Sequence, residues 1–127
     1  MTKIKLIIYW GATCLTAFGM LASGIAQVLQ VKVWVDIIVP LGYPPYFLYI
    51  IGIWKILGAI VILIPGFKLV KEWAYAGLFF AMTGAVASHL ACGHGVGDII
   101  PPFMQTVFII LSWYFRPADR KIISVNP

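Results

Sequence analysis

The chain has 127 residues, of which 62% are hydrophobic and 10% are charged. Soluble domains contain about 45–50% apolar and about 25% charged residues. A soluble domain of this size would expose more surface than so few charges can keep hydrated. The composition therefore excludes a soluble globular enzyme, a disordered chain, a coiled coil and a disulfide-rich secreted module. It indicates a small integral membrane protein.

Four apolar runs predict four membrane-spanning helices, because about 20 apolar residues cross the hydrocarbon core of a bilayer. The spans are predicted at residues 6–28, 46–64, 73–92 and 99–115, within a single domain that covers residues 1–127. Backbone N–H and C=O groups must be paired inside lipid, so these runs are expected to be helical. The predicted fold class is all-α, an integral membrane four-helix bundle.

The connections between the runs contain turn signals. Pro65 and Gly66 are expected to end the second helix. Pro101 and Pro102 suit the first turn of the fourth helix, where a missing N–H costs nothing. In the segment 29–45, valines alternate with polar or aromatic residues. This alternation predicts an extended or interfacial segment that lies on the membrane.

Cations flank the runs asymmetrically, which predicts the orientation of the chain. With four spans, the outer side holds only Lys32, and both termini lie in the cytoplasm by the positive-inside rule. The first run is longer than the 7–15 apolar residues of a signal peptide, which favours a retained span. The net charge of +5 thus reflects orientation, and no nucleic-acid partner is expected. The cations on the inner side are Lys3, Lys5, Lys68, Lys71, Arg116, Arg120 and Lys121.

Small residues follow a helical spacing in three of the runs, and we interpret them as packing positions. Helices in lipid approach one another most closely at such residues. The stripes are Ala12, Thr16, Gly19, Ser23 and Ala26 in the first run, Gly52, Gly58 and Ala59 in the second, and Ala74, Gly77, Ala81, Gly84, Ala85 and Ser88 in the third.

Lys55 lies in the middle of the second run, nine residues from each end. A lysine at this depth costs about 2.5–3.5 kcal/mol on insertion scales, so an ionisable residue there is a functional hypothesis by default. Gly52, Gly58 and Ala59 share its helix face, which predicts that Lys55 points toward protein. The alternative is that Lys55 pairs with a buried carbonyl and only holds the helices together.

Further polar groups are expected near Lys55 and define a candidate ligand site. His89 lies in the outer third of the third run, Asp98 precedes the fourth, and Gln105 points back into the bundle. Trp54 is adjacent to Lys55 in the sequence. Two alternatives remain open: Asp98 caps the fourth helix, and His89 makes an interhelical hydrogen bond. No catalytic residue is predicted.

The connection before the fourth run contains groups that can ligate metals, namely His89, Cys92, His94 and Asp98. Their spacing matches no zinc motif, and the intervening glycines are typical of a tight flexible turn. No metal site is predicted here.

Several short motifs carry a family resemblance. They are Leu41 to Phe47 (LGYPPYF), Gly52 to Ala59 (GIWKILGA) with the following Pro65, Lys71 to Gly77 (KEWAYAG), Gly84 to Leu90 (GAVASHL) and Ser112 to Pro117 (SWYFRP). Over roughly residues 6–117, the chain resembles the DoxX-like family. The resemblance implies a four-helix protein of the bacterial cytoplasmic (inner) membrane. It supplies no agreed catalytic residues.

Relatives in the wider DoxX grouping are associated with membrane redox systems, so the resemblance implies an accessory or anchor subunit. Such a subunit would contact the lipid bilayer and a membrane or peripheral redox partner, and homo-oligomers are compatible with it. No resident cofactor is predicted, and the chain is not expected to be an enzyme on its own. A quinone could accept a hydrogen bond from Lys55 or His89. The alternatives are a small proton-coupled transporter and a structural or chaperone-like membrane partner.

Overall fold

A computed structural model describes residues 2–117, and over this range the chain is helical without any strand. The all-α prediction is confirmed, but five helices are present instead of the predicted four. Arg120 and Lys121, two of the predicted inner cations, lie outside the described residues. The helices are α1 (Lys3–Val28), α2 (Lys32–Ile38), α3 (Phe47–Leu63), α4 (Lys68–Ala91) and α5 (Val96–Tyr114).

The exterior of the described chain is apolar, as a membrane protein requires. By length and composition, α1, α4 and α5 are each able to cross a bilayer. With 17 residues, α3 is at the lower end of the range of about 17–25 residues that a crossing needs. Large apolar side chains on the outer faces, such as Phe18, Trp54 and Phe103, are exposed. These surfaces fit contact with lipid, because water would not tolerate so large an apolar area.

The four longer helices form a closed ring in which neighbours run antiparallel. α1 and α4 each pack against both α3 and α5. Thr13 lies in the first half of α1 and Ser112 near the end of α5, and their hydroxyl oxygens are 2.5 Å apart. Tyr75, in the first half of α4, places its hydroxyl 2.8 Å from Ser112. The start of α1, the start of α4 and the end of α5 therefore share one end of the ring.

The core lies between the four longer helices and consists mainly of apolar side chains. Its buried members come from each of these helices and leave the outward faces to lipid. They are Ala17, Met20, Ala59, Ile62, Tyr75, Leu78, Met82 and Ile109.

Small residues separate into two groups in the structure. Gly24 and Gly52 lie where α1 crosses α3, and a methyl group on either would contact the opposite backbone. In α4, by contrast, a methyl group on Gly77 or Gly84 would meet no atom within 4 Å. The packing interpretation is therefore wrong for Gly77 and Gly84, which border open space.

The end of α3 is capped by a buried lysine. The helix ends at Leu63, before a turn in which Gly66 has φ +77°, as the sequence predicted. The last carbonyls of a helix lack partners within it. Lys71 of α4, only 1% exposed, donates from Nζ to the carbonyl of Val61 at 2.5 Å and also to that of Ile64. This contact places the end of α3 beside the start of α4.

The segment after α1 is helical where an extended chain was predicted. Residues Lys32–Ile38 form α2, so the extended interpretation is wrong. At helical spacing, Trp34, Ile37 and Ile38 occupy one face, whereas Lys32 and Asp36 are exposed. Because seven residues can fit both a two-residue and a helical period, the alternation of valines was a misleading signal.

The last helix begins earlier than predicted. α5 starts at Val96, so Pro101 and Pro102 lie in its second turn instead of its first. The N-cap is Gly95, with no side-chain hydrogen bond, and Asp98 is the third helical residue. The capping alternative for Asp98 is therefore wrong, although a carboxylate in the first turn is still favourable near the positive end of the helix dipole.

Candidate functional site

A cavity of about 660 Å³ lies among all five helices. Its volume falls within the range of about 300–1,000 Å³ that is typical of small-molecule sites. The walls are largely apolar and include Phe47, Leu48, Ile51 and Phe80. An apolar ligand would find dispersion contacts on most sides of this space.

α2 forms one wall of the cavity. Trp34, Ile37 and Ile38, the three residues of its inner face, all line the space. The centroid of the Trp34 ring lies 5.3 Å from Nζ of Lys55, which is on α3. The unpredicted helix thus brings an aromatic face to Lys55, a favourable cation–π arrangement.

Lys55 faces the cavity and is only 5% exposed, so the prediction that it points toward protein is confirmed. Its Nζ donates to the hydroxyl of Ser23 over 3.5 Å, which is long for a hydrogen bond. An ammonium has three donors, so Lys55 retains capacity to bind a ligand acceptor. The carbonyl-pairing role that was the alternative for Lys55 is instead performed by Lys71.

Two glutamines place unpaired acceptors at the cavity. Gln27 of α1 and Gln105 of α5 both line it. Their Oε1 atoms are buried and have no hydrogen-bond partner among residues 2–117. A buried acceptor without a donor costs about 1–3 kcal/mol. A ligand with N–H or O–H groups would recover this free energy.

Near the α4–α5 connection, two imidazoles and a carboxylate lie together. The Nδ1 atoms of His89 and His94 are 2.8 Å apart. Asp98 joins them, with one ligating atom from each residue within 4.8 Å of the others. His89 and Asp98 also line the cavity, whereas His94 does not. Sequence spacing did not predict this group, which has the donor types of a divalent metal site.

Four of the five sequence-predicted site residues line the same cavity, namely Lys55, His89, Asp98 and Gln105. Trp54 does not. Its side chain is 63% exposed and borders a second cavity of about 540 Å³, which Lys55 also lines. Consecutive helical residues point about 100° apart, which turns Trp54 away from the larger cavity.

Comparison with known proteins identifies the family. The model of the DoxX-like family matches residues 11–114, a stretch that contains every cavity residue named above. The chain belongs to the DoxX-like family. No curated protein and no solved structure matches it at a significant level. The family resemblance read from the sequence motifs is thus confirmed.

In this DoxX-like protein, the end of α4 brings the two histidines together. Gly93 has φ +72°, a conformation in which glycine has no Cβ penalty. Its N–H donates to the carbonyl of Leu90, and the N–H of His94 donates to the carbonyl of His89. These two bonds form a Schellman motif, which places the third-last helical residue against the second residue after the cap. A glycine directly before His94 was the sequence signal for this contact.

The opposite end of the DoxX-like protein is closed by an ion pair. Arg116 Nη2 lies 2.9 Å from Glu72 Oε1, and Trp113 Nε1 donates to Glu72 Oε2 over 3.0 Å. These contacts join the start of α4 to the segment at the end of α5. None of these three residues lines the cavity, so the ion pair has a structural role.

Proposed function

We propose that this DoxX-like membrane protein binds an apolar small molecule with a polar head group, of the quinone type, as an accessory or anchor subunit of a membrane redox system. The observation that carries the proposal is the cavity among the helices, because it combines apolar walls with a buried amine. Burial of an isoprenoid-like tail and recognition of a polar head are the two requirements of such a ligand.

The head group would meet both donors and acceptors. Lys55 can donate to a quinone carbonyl, since its contact with Ser23 is long. Gln27 and Gln105 can accept from the hydroxyl groups of the reduced form, because their buried Oε1 atoms lack donors among residues 2–117. The site would thus accept both oxidation states. In this role a membrane or peripheral partner supplies the electrons, and this chain supplies the binding site.

The proposal includes four membrane crossings, as a four-helix bundle, with both termini in the cytoplasm of a bacterium. Antiparallel packing of α1, α3, α4 and α5 supports an alternating path across the bilayer. The positive-inside rule supports the orientation. Of the described cations outside α3, only Lys32 lies at the other end of the helices, in the segment between α1 and α3. Those near the inner end are Lys3, Lys5, Lys68, Lys71 and Arg116.

A direct binding experiment tests the function. The purified chain is placed in lipid nanodiscs and titrated with a short-chain ubiquinone, with empty nanodiscs measured in parallel to subtract partition into lipid. Lys55→Met keeps most of the side-chain volume and removes the donor. Since a hydrogen bond from a charged group contributes about 1.5–3 kcal/mol, the variant should bind at least about tenfold more weakly.

The matched control is Lys68→Met, which removes an exposed charge that does not line the cavity. It should bind the quinone as the wild type does. Equal affinities in the wild type and Lys55→Met, or no saturable binding beyond that of empty nanodiscs, would reject the proposal. Thermal unfolding of each variant establishes that the compared chains are folded.

A further inference from the structure

We propose that His89, His94 and Asp98 form a binding site for a divalent transition-metal ion at the edge of the cavity. The three residues offer two imidazole nitrogens and a carboxylate oxygen, all within 4.8 Å of one another. This donor set is one that Zn²⁺ and other first-row divalent ions use. The metal site borders the proposed quinone site but can be tested apart from it, because His94 lies outside the cavity and metal binding is followed by a different measurement.

The two imidazoles are close enough for one ion to bridge them. Their Nδ1 atoms lie 2.8 Å apart, so a proton on one nitrogen must face the lone pair of the other. In a tetrahedral site with Zn–N bonds of about 2.0–2.1 Å, the two nitrogens would lie about 3.3 Å apart. A metal ion would therefore take the place of the proton between the rings after the two nitrogens separate by about 0.5 Å and the rings turn until both lone pairs point at the ion.

The backbone positions all three ligand residues before any ion binds. The Schellman motif at Gly93 holds His94 against His89 through the bond from the His94 N–H to the His89 carbonyl, 2.9 Å long. Asp98 is placed by the first turn of α5. A site whose ligands are already close loses less conformational entropy on binding than one assembled from free side chains.

The position of the site leaves room for a further ligand. Three protein ligands with an open position are typical of zinc sites that hold water or substrate. His89 and Asp98 both line the cavity, so the open position would face that space. A ligand in the cavity with an oxygen donor would then be able to reach the ion directly.

Cobalt is a suitable probe, because Co²⁺ adopts the same geometries as Zn²⁺ and gives visible absorption. The full chain, purified without a histidine tag, is titrated with Co²⁺ and then with Zn²⁺ in the absence of quinone. We expect one Co²⁺ per chain, with absorption typical of four- or five-fold coordination that Zn²⁺ abolishes. The chain has two histidines in total, so an imidazole signal can come only from the proposed ligands.

The decisive variant is His94→Ala, because His94 does not line the cavity and its loss leaves the quinone site intact. Its affinity for Co²⁺ should fall at least about tenfold. Cys92→Ser is the matched control: Cys92 is an exposed, free thiol in the same turn and should not affect binding. Unchanged affinity in His94→Ala, equal loss in Cys92→Ser, or no stoichiometric binding by the wild type would overturn the proposal. Quinone affinity of His94→Ala is measured separately, so the two proposals fail independently.

Discussion

Gly24 of α1 and Gly52 of α3 meet backbone to backbone. A methyl group on Gly52 would lie 2.7 Å from the carbonyl oxygen of Gly24, and one on Gly24 would lie 2.9 Å from the carbonyl oxygen of Gly52. Such distances to backbone atoms force the helices apart. We expect Gly52→Ala to lower the free energy of unfolding by about 1–3 kcal/mol, measured by SDS titration in mixed micelles.

The control for this prediction is Gly11→Ala, at an exposed position in the first half of α1. A methyl group there meets nothing within 4 Å. Alanine favours a helix over glycine by about 1 kcal/mol, so this variant should be neutral or more stable. If both alanine variants were stabilised alike, the close approach of α1 and α3 would be contradicted.

Ser112 connects three helices through its hydroxyl, which lies 2.5 Å from Thr13 Oγ1 and 2.8 Å from the Tyr75 hydroxyl. Ser112→Ala removes a partner from two buried polar groups. We expect a loss of about 1–3 kcal/mol in the free energy of unfolding. Thr83→Ala is the comparison, since the Thr83 hydroxyl bonds to carbonyls of its own helix. That change should stay within about 0.5 kcal/mol, and equal losses would argue against a buried network.

Lys71 stabilises the end of α3 from the neighbouring helix. Lys71→Met should cost about 1.5–3 kcal/mol, the usual contribution of a hydrogen bond from a charged donor, because the carbonyls of Val61 and Ile64 lose this donor. Lys68→Met, at the exposed start of α4, should change the free energy of unfolding by less than about 0.5 kcal/mol. Chemical unfolding in detergent compares the two, and a stable Lys71→Met variant would refute the capping role.

Gly19 makes room for Gln105 at the cavity. A methyl group at Gly19 would collide with the Gln105 amide, so Gly19→Ala should displace that side chain and reduce quinone affinity about fivefold, or about 1 kcal/mol. Gly84 also lines the cavity, but a methyl group there has no neighbour within 4 Å. Gly84→Ala should bind almost normally in the same nanodisc titration. Identical affinities in the two variants would contradict the role of Gln105.

Much of the fold could be predicted from the sequence, because lipid imposes a simple rule on long apolar runs. The four longer helices begin within five residues of those runs and end within one residue of them. This rule does not apply to the short connections between the runs. There, α2 was missed because seven residues satisfy two periodicities, and the start of α5 was missed because Gly95 and Gly97 were interpreted as a flexible turn.

The candidate site was predicted in part, for a related reason. Lys55 could be oriented from the sequence because small residues share its helix face. Gln105 and His89 could be assigned a depth. The role of Trp34 depended on α2, and the contact of His94 with His89 depended on a left-handed residue at Gly93. Such details follow from single backbone angles, which composition and hydrophobic periodicity do not determine.

The shortness of α3 has a consequence for the surrounding lipid. At 1.5 Å per residue, its 17 residues extend about 26 Å, which is less than an average bilayer thickness of about 30 Å. A crossing by this helix creates a hydrophobic mismatch, which membranes relieve by local thinning. Lys55 at its centre would then lie about 12 Å from each aqueous boundary. Thinner membranes would therefore favour insertion of this protein and reduce the cost of its buried charge.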